Sequence, residues 1–385
     1  MRVAVVTSIH PVLDKRIYER QCRILAQAGY EVHLIAPGAP KGPVAEGITF
    51  HSFRGASGRI GRFKAHAALK AHVRAVRPDV VHFHDPDLLF AVGDFLQDGD
   101  PVVIYDAHED FPLASRTSLG LPLGLNIGAS LVVDGIERLA ARRVDGVICA
   151  HRRRLAQLRP GSDGLYFPNY PSKRAFIQAE SSSRDRSCLY LGLLQWDRGA
   201  EALLLGAKLA PDIRWLVVGD FPTMQDRDRF LARVRTESLH NLEWIGQVPY
   251  ERVPLLLATA GVGVMPWLAT PQHQWASQPT KLYEYLAAGL PVVASRLQIT
   301  EEVVGRSKAG LLHTAGDAHG MVASVRRILD DQTMALSAGR AGRAAFLAEF
   351  NLERIAPQFL QFYQRLIETK RRSRGRARMP PPIGS

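Results

Sequence analysis

Short apolar runs recur along the chain, separated by longer amphipathic or polar stretches. Arg2-Val-Ala-Val-Val-Thr7, Glu31-Val-His-Leu-Ile-Ala36, Asp79-Val-Val-His-Phe-His84, Val102-Val-Ile-Tyr105 and Gly146-Val-Ile-Cys149 form a first set. Cys188-Leu-Tyr-Leu191, Trp215-Leu-Val-Val-Gly219, Leu242-Glu-Trp-Ile-Gly246, Gly261-Val-Gly-Val-Met-Pro266 and Val292-Val-Ala294 form a second. Runs this apolar suit strands buried on both faces, as in parallel sheets. Between them lie helical patterns, including an amphipathic one ending near Gly29, a basic one over 59–76 and one over 134–143. This alternation predicts an α/β protein with doubly wound parallel sheets. At 385 residues the chain exceeds what one hydrophobic core serves, so two domains are expected. Residues 172–187, rich in Ser, Arg and Lys, read as a linker. Residues 371–385, basic and then Pro-rich, read as a disordered tail.

Charge adds a partner to this picture. The net charge is +12, and residues 51–78 hold seven basic groups while 369–385 hold six, neither segment containing an acid. Together these segments exceed the whole excess, so the rest is near neutral. An anionic surface is implied, through 51–78 and 370–378. No nucleic acid is expected, because neither patch carries interleaved aromatics or a recognisable module. Cys22, Cys149 and Cys188 are isolated, which suggests neither a disulfide framework nor a zinc site and fits a reducing cytoplasm. The first strand begins without a signal peptide ahead of it, and no apolar run reaches about 18 residues. The expected location is cytoplasmic, peripheral at the inner face of the cell membrane.

Residues 277–295, Ser-Gln-Pro-Thr-Lys-Leu-Tyr-Glu-Tyr-Leu-Ala-Ala-Gly-Leu-Pro-Val-Val-Ala-Ser, carry the densest chemistry. Ser277 reads as an N-cap, Pro279 as a first-turn residue and Gly289 as the stop before a buried strand. Lys281 then sits at the end of the helix macrodipole that disfavours a cation, a conflict that a bound phosphate would remove. Glu284 falls on the same face, where a carboxylate can accept ribose hydroxyls; the bland alternative is a solvated pair worth about 0.3 kcal/mol. Polar clusters also end two N-terminal strands: Asp85-Pro-Asp87 and Asp106-Ala-His108-Glu109-Asp110. The His82-x-His84-Asp85-Pro-Asp87 spacing does not place metal ligands, one of the two histidines reads as packed core, and no metal is expected. Asp14 and Arg16 read either as ligand-facing or as an ion pair fixing their loop. The uncharged run 117–133 reads as core or inter-domain packing, with an apolar acceptor groove or interfacial anchor as the alternative.

The 277–295 stretch resembles the donor-binding signature of retaining, nucleotide-sugar-dependent glycosyltransferases of family 4, which have the two-Rossmann GT-B fold. The resemblance spans residues 1 to about 369. It implies two doubly wound domains facing a cleft: 1–171 on the acceptor side, 188–352 binding the donor, and a helix 353–370 crossing back. Gly192-Leu-Leu-Gln-Trp-Asp-Arg-Gly199 resembles the turn that holds the donor diphosphate, and Tyr105-Asp-Ala-His-Glu109 the loop that places a histidine beside the sugar. By that likeness His108, Arg198 and Lys281 are catalytic candidates. Gly192, Arg198, Met265, Ser277, Lys281 and Glu284 are donor-binding candidates, Met265 through backbone near the nucleobase. Asp14, Arg16, Asp85, Asp106 and Glu109 are acceptor or cleft candidates. Two departures stand out: Leu193 follows the glycine where a basic residue is usual, and Ala276 replaces the first of the paired glutamates. The implied reaction moves a sugar from a nucleoside diphosphate sugar, a UDP-sugar by preference, to a glycan or lipid-linked acceptor with retention of configuration, in cell-surface polysaccharide synthesis. No cofactor is implied. A catalytically inactive nucleotide-binding scaffold and a nucleotide-sugar epimerase on the same fold remain the alternatives.

Overall fold

The computed structural model describes residues 1–40, 45–53, 58–97, 100–107, 123–161, 164–177, 184–275 and 278–377. His108, Glu109 and Ser277 therefore lie outside the described residues. The chain divides into two compact units, Met1–Pro168 with Ile355–Ser385, and Asn169–Arg354.

The first unit is built on a seven-stranded parallel sheet, β1 (Arg2–Val6), β2 (Glu31–Pro37), β3 (Ile48–Phe53), β4 (Val80–Phe83), β5 (Val102–Ala107), β6 (Gly146–Cys149) and β7 (Gly164–Tyr166). Their order is β3-β2-β1-β4-β5-β6-β7. The central strands β1, β4, β5 and β6 are buried on both faces, as expected where helices cover both. Strand β3, Ile-Thr-Phe-His-Ser-Phe, has no continuous apolar run; it is an edge strand whose register with β2 aligns Val32 with Ile48 and Leu34 with Phe50. The last helix, Leu352–Ala377, belongs to this unit over most of its length, and Phe362 and Leu366 lie against Gly146, where a β-carbon would collide with both.

That helix corrects the expected disorder over 371–377; residues 378–385 lie outside the described residues. It continues to Ala377, because Lys370 pairs with Asp100 at 2.7 Å and Asp145 at 3.2 Å and Arg374 pairs with Asp100 at 3.4 Å. An i, i+4 spacing puts both cations on one face. Part of the basic charge expected to be free is thus spent inside the unit, as is Lys70 of the helix Gly58–Val76 on Asp94 at 2.5 Å.

The second unit holds a six-stranded parallel sheet, β8 (Ser187–Leu191), β9 (Arg214–Val218), β10 (Leu242–Gly246), β11 (Val262–Met265), β12 (Val292–Ser295) and β13 (Gly310–His313), in the order β10-β9-β8-β11-β12-β13. Trp215, Phe230, Leu204 and Met321 fill the core on one side. The end of the supposed linker is anchored rather than free: the Arg184 guanidinium donates to the carbonyls of Leu257, Ala258, Ala260 and Ala288. It thereby satisfies the orphan carbonyls at the ends of two helices.

Among the described residues no helix is long and apolar enough to cross a membrane. The run 117–133 is described only from Leu123, at the start of the helix Leu123–Ala141. Its expected burial does not hold there, since Ile127, Leu131 and Val132 are exposed.

Candidate active site

In both sheets the strand order reverses beside the first strand of the unit, between β1 and β4 and between β8 and β11. Such switch points open a crevice at the carboxyl ends of the strands. The polar motifs of both units gather there.

In the second unit Gly192 follows β8 with φ of 100°, a conformation open to glycine at no steric cost, and its amide donates to the Val218 carbonyl at 2.7 Å. A β-carbon at Gly192 would lie 3.5 Å from Lys281 Cε, so the turn and the lysine are neighbours. The helix carrying Lys281 is Thr280–Ala287, with Pro279 as N-cap residue, which corrects the expected cap at Ser277. Pro279 has extended backbone and, lacking an N–H, leaves no orphan donor of its own. Tyr285 locks this helix onto the sheet: its hydroxyl accepts from the Leu191 amide at 3.0 Å and lies 3.2 Å from the Val264 carbonyl.

Lys281 is buried with its Nζ 3.6 Å above the centre of the Tyr190 ring and 5.5 Å from that of Trp267. Arg198 Cζ lies 5.4 Å from the same indole. Neither Lys281 Nζ nor Arg198 Nε has a hydrogen-bond partner among the described residues. Burial and then Arg198 push the Lys281 ammonium well below its ordinary value, and Glu284, buried in the same helix, offsets only part of this. Two neighbouring cations held in this way form a site short of negative charge. Gly199 turns the chain with φ of 101° into the helix Ala200–Leu209, and a β-carbon there would sit 2.6 Å from the Pro266 carbonyl oxygen. Met265 is fully buried at the end of β11.

Sequence reasoning missed Trp267 and His273. Trp267 packs against His273 with the rings tilted by 34° and their centres 4.6 Å apart, and His273 Nδ1 lies 3.1 Å from the Leu268 carbonyl and Nε2 3.6 Å from Asp197. Burial pushes the His273 imidazole toward its neutral form, with Arg198 and Lys281 acting in the same sense. The available signal was an indole directly after Pro266 at the end of a buried strand.

In the first unit the acceptor-side candidates are brought together but turned inward. Asp85 is fully buried and accepts from Thr7 Oγ1 at 2.7 Å and the Ser8 amide at 2.6 Å, with His10 Nε2 at 3.2 Å. Burial pushes its carboxyl up, but the contacts with His10, Thr7 and Ser8 outweigh this and hold it at about 2. Asp106, also fully buried, takes a bidentate fork from Arg16, Nε at 2.9 Å and Nη2 at 2.8 Å, and a bond from Gln21 Nε2 at 2.6 Å. Arg16 donates further to the Phe167 carbonyl at 2.8 Å. Asp14 caps the helical turn Lys15–Cys22 by accepting from the amides of Arg16 and Ile17. The ion pair is therefore Arg16–Asp106, not Asp14–Arg16, and Arg16, Asp85 and Asp106 shape the crevice from beneath instead of meeting an acceptor.

Both His82 and His84 are core residues, where only one was expected. His82 Nδ1 lies 2.6 Å from the Tyr363 hydroxyl, and His84 Nδ1 lies 3.4 Å from Asp106. His82, His84 and Asp106 bring three potential ligand atoms within 4.8 Å of one another. The third residue is distant in sequence, so the spacing of 82–87 did not reveal it. The donor set does not suit a cation, because the Arg16 guanidinium already occupies both Asp106 oxygens.

The comparisons with known proteins agree with this fold. A family model described as "Glycosyl transferases group 1" matches residues 186–331, and one described as "Glycosyltransferase Family 4" matches residues 16–160. The chain is 27% identical over 361 residues to the phosphatidyl-myo-inositol mannosyltransferase of Mycolicibacterium smegmatis, covering 89% of this chain and 87% of that protein. It is 27% identical over 224 residues to a Bacillus subtilis teichuronic acid biosynthesis glycosyltransferase, covering 52% of each. Among solved structures, sucrose-phosphate synthase from Thermosynechococcus elongatus superposes with a TM-score of 0.77 at 21% identity, covering 96% of this chain and 99% of that one. HepE from Anabaena, solved in complex with UDP, superposes with a TM-score of 0.71 at 14% identity over 94% of this chain and all of that one. Models of one enzyme class match both sheets, and the whole chain shares the architecture of these enzymes: it belongs to family 4 of the glycosyltransferases, with the two-domain GT-B fold.

Proposed function

We propose that the enzyme transfers a sugar from a nucleoside diphosphate sugar, with retention of configuration, to a glycan or lipid-linked acceptor in cell-surface polysaccharide synthesis. The observation that carries the donor reading is the pair of neighbouring cations, Arg198 and Lys281, whose Nε and Nζ atoms have no acceptor among the described residues beside the Gly192 turn. A diphosphate would supply the missing negative charge, and its development during departure of the nucleotide is what the pair stabilises in the transition state. The N-terminus of Thr280–Ala287 adds its dipole to the same task. These groups do the charge-neutralising work of a metal ion, so donor binding is metal-independent in this reading. Glu284 orients the ribose, the backbone near Met265 meets the base, and Gln274 and Ser277 take over sugar selection where Ala276 replaces a glutamate. His108 bonds the transferred sugar near its anomeric carbon. The acceptor attacks from the face that the phosphate leaves, with the departing oxygen taking its proton.

The acceptor reading is supported by relatives whose names specify a phosphatidyl-inositol and a teichuronic acid pathway. With such an acceptor, the enzyme works as a peripheral protein at an anionic membrane surface.

Thermal unfolding with UDP, GDP and ADP, each with magnesium and with a chelator, tests the donor site. A ligand at 100 times its Kd adds about 2.7 kcal/mol, a shift of several degrees. One diphosphate is expected to raise the midpoint equally in both conditions, UDP by preference. No shift with any of them refutes the donor site.

A further inference from the structure

The helix Leu123–Ala141 is amphipathic in the reverse sense. Its inward face carries Ser130 and Glu137, 1% and 2% exposed, whereas Leu131, Val132 and Leu139 are 60%, 62% and 57% exposed. A helix at the surface of a soluble domain ordinarily turns its apolar stripe inward. At 3.6 residues per turn Ile127, Leu131, Val132, Ile136 and Leu139 fall on about one half of the circumference, with Gly128 and Gly135 between them and Arg138, paired with Asp134, at its edge beside Ile127 and Leu131. Phe90, 74% exposed, lies on the short helix Pro86–Ala91, which packs against this one. Exposed apolar residues gathered on one helix face are uncommon on soluble monomers and mark an interaction site.

The polar side of the helix explains how the inversion is stable. Glu137 accepts from Tyr105 Oη at 2.9 Å and pairs with the buried Arg154, which also pairs with Asp134. Both acids of the helix are thus neutralised by a cation from beneath, and the outward face keeps no negative charge. Arg142 and Arg143 are exposed just beyond its C-terminal end, and Arg152 and Arg153 are exposed on the neighbouring helix Arg152–Leu158. An apolar stripe bordered by arginines complements a lipid surface: hydrocarbon at the stripe, anionic headgroups at its edge.

We infer that the outward face of Leu123–Ala141, with Phe90, inserts into the interface of an anionic bilayer, and that Arg142, Arg143, Arg152 and Arg153 bind its headgroups. This rests on the peripheral-membrane reading above and names a different surface from the basic segments 51–78 and 370–378, part of whose charge is committed to Asp94, Asp100 and Asp145. Insertion there would hold the first unit at the membrane, where a lipid-linked acceptor resides.

The test is flotation of the full chain with phosphatidylcholine vesicles, with and without phosphatidylglycerol. The triple variant Leu131→Ser/Val132→Ser/Leu139→Ser is expected to lose at least about tenfold in vesicle affinity, since it removes most of the apolar area that would enter the bilayer. Arg142→Glu/Arg143→Glu is expected to lose the increment due to phosphatidylglycerol and the salt dependence that goes with it. Both variants change exposed residues and should keep the unfolding midpoint. A variant of the other surface, Arg371→Glu/Arg372→Glu, is expected to bind as the parent does. If the parent binds and the triple variant binds equally, this face is not the anchor although the membrane reading stands. If the parent does not bind, both fall. A parent dimer that the triple variant converts to monomer would assign the face to a second copy and overturn the proposal.

Discussion

Lys281 is where fold stability and donor binding should pull in opposite directions. Its ammonium is buried over the Tyr190 ring, and burial first and Arg198 second hold it well below 10.5, against a partial offset from Glu284. Each unit of that depression costs the protonated, folded protein about 1.4 kcal/mol. Between the depressed folded value and the 10.5 of an ordinary lysine, the unfolded chain binds a proton that the folded chain does not. Stability of the unliganded protein therefore rises with pH across that window. Lys281→Met keeps the length of the side chain and removes the charge. At neutral pH it should raise the midpoint of the unliganded protein by a few degrees, because about 1 kcal/mol moves a domain of this size by roughly 2–4 °C. It should also abolish the alkaline rise. Nucleotide binding should change the other way: a lost charge-assisted hydrogen bond costs about 1.5–3 kcal/mol, or roughly ten- to a hundredfold in the Kd for UDP. Scanning calorimetry at neutral and alkaline pH, with and without UDP, reads all of these. A lower midpoint together with an unchanged UDP shift would refute the reasoning and make Lys281 a structural cation satisfied by Tyr190 and Glu284.

Three further outcomes follow from the buried polar groups and the glycine turn. Arg16→Met strands the buried Asp106 carboxylate of β5 and should cost about 3–5 kcal/mol, read as a lower denaturation midpoint. Asp85, held at about 2 against an ordinary 3.8, contributes stability that is fully present above 3.8 and lost as pH falls toward 2. Asp85→Asn should remove about 2 kcal/mol of that acid dependence, seen by circular dichroism between neutral pH and pH of about 2. Gly199→Ala combines a φ of 101° with a collision at Pro266; about 1–3 kcal/mol of strain and weaker UDP binding are expected, because the turn also carries Arg198.

The sequence by itself determined the two parallel sheets and where their polar ends lie. Continuous apolar strands such as Val-Ile-Cys at 147–149 and Val-Val-Ala at 292–294 can be satisfied only by burial on both faces, and local pattern carries that information. Lys281 and Gly192 were legible for a related reason: a cation in the wrong turn of a helix and a glycine at a strand end are local anomalies. Strand β3 was not legible, because an edge strand with Thr, His and Ser has no apolar run to betray it.

What tertiary structure alone decided are the pairings between distant residues. Arg16 meets Asp106 across 90 positions, and His82 meets Tyr363 across 281, since adjacent strands in a doubly wound sheet are separated by whole helices in sequence. Such contacts, with Arg16 for Asp106 and with Thr7, Ser8 and His10 for Asp85, reassigned both acids from ligand-facing to buried, which side-chain type cannot reveal. The run 117–133 shows the limit most plainly. Its composition fits core and surface equally, and which face of Leu123–Ala141 turns inward was settled by Arg154, a buried cation on another helix that draws Glu137 and Asp134 toward it. A single buried arginine outweighs the apolar stripe because an unpaired charge in the interior costs more than apolar surface left in water.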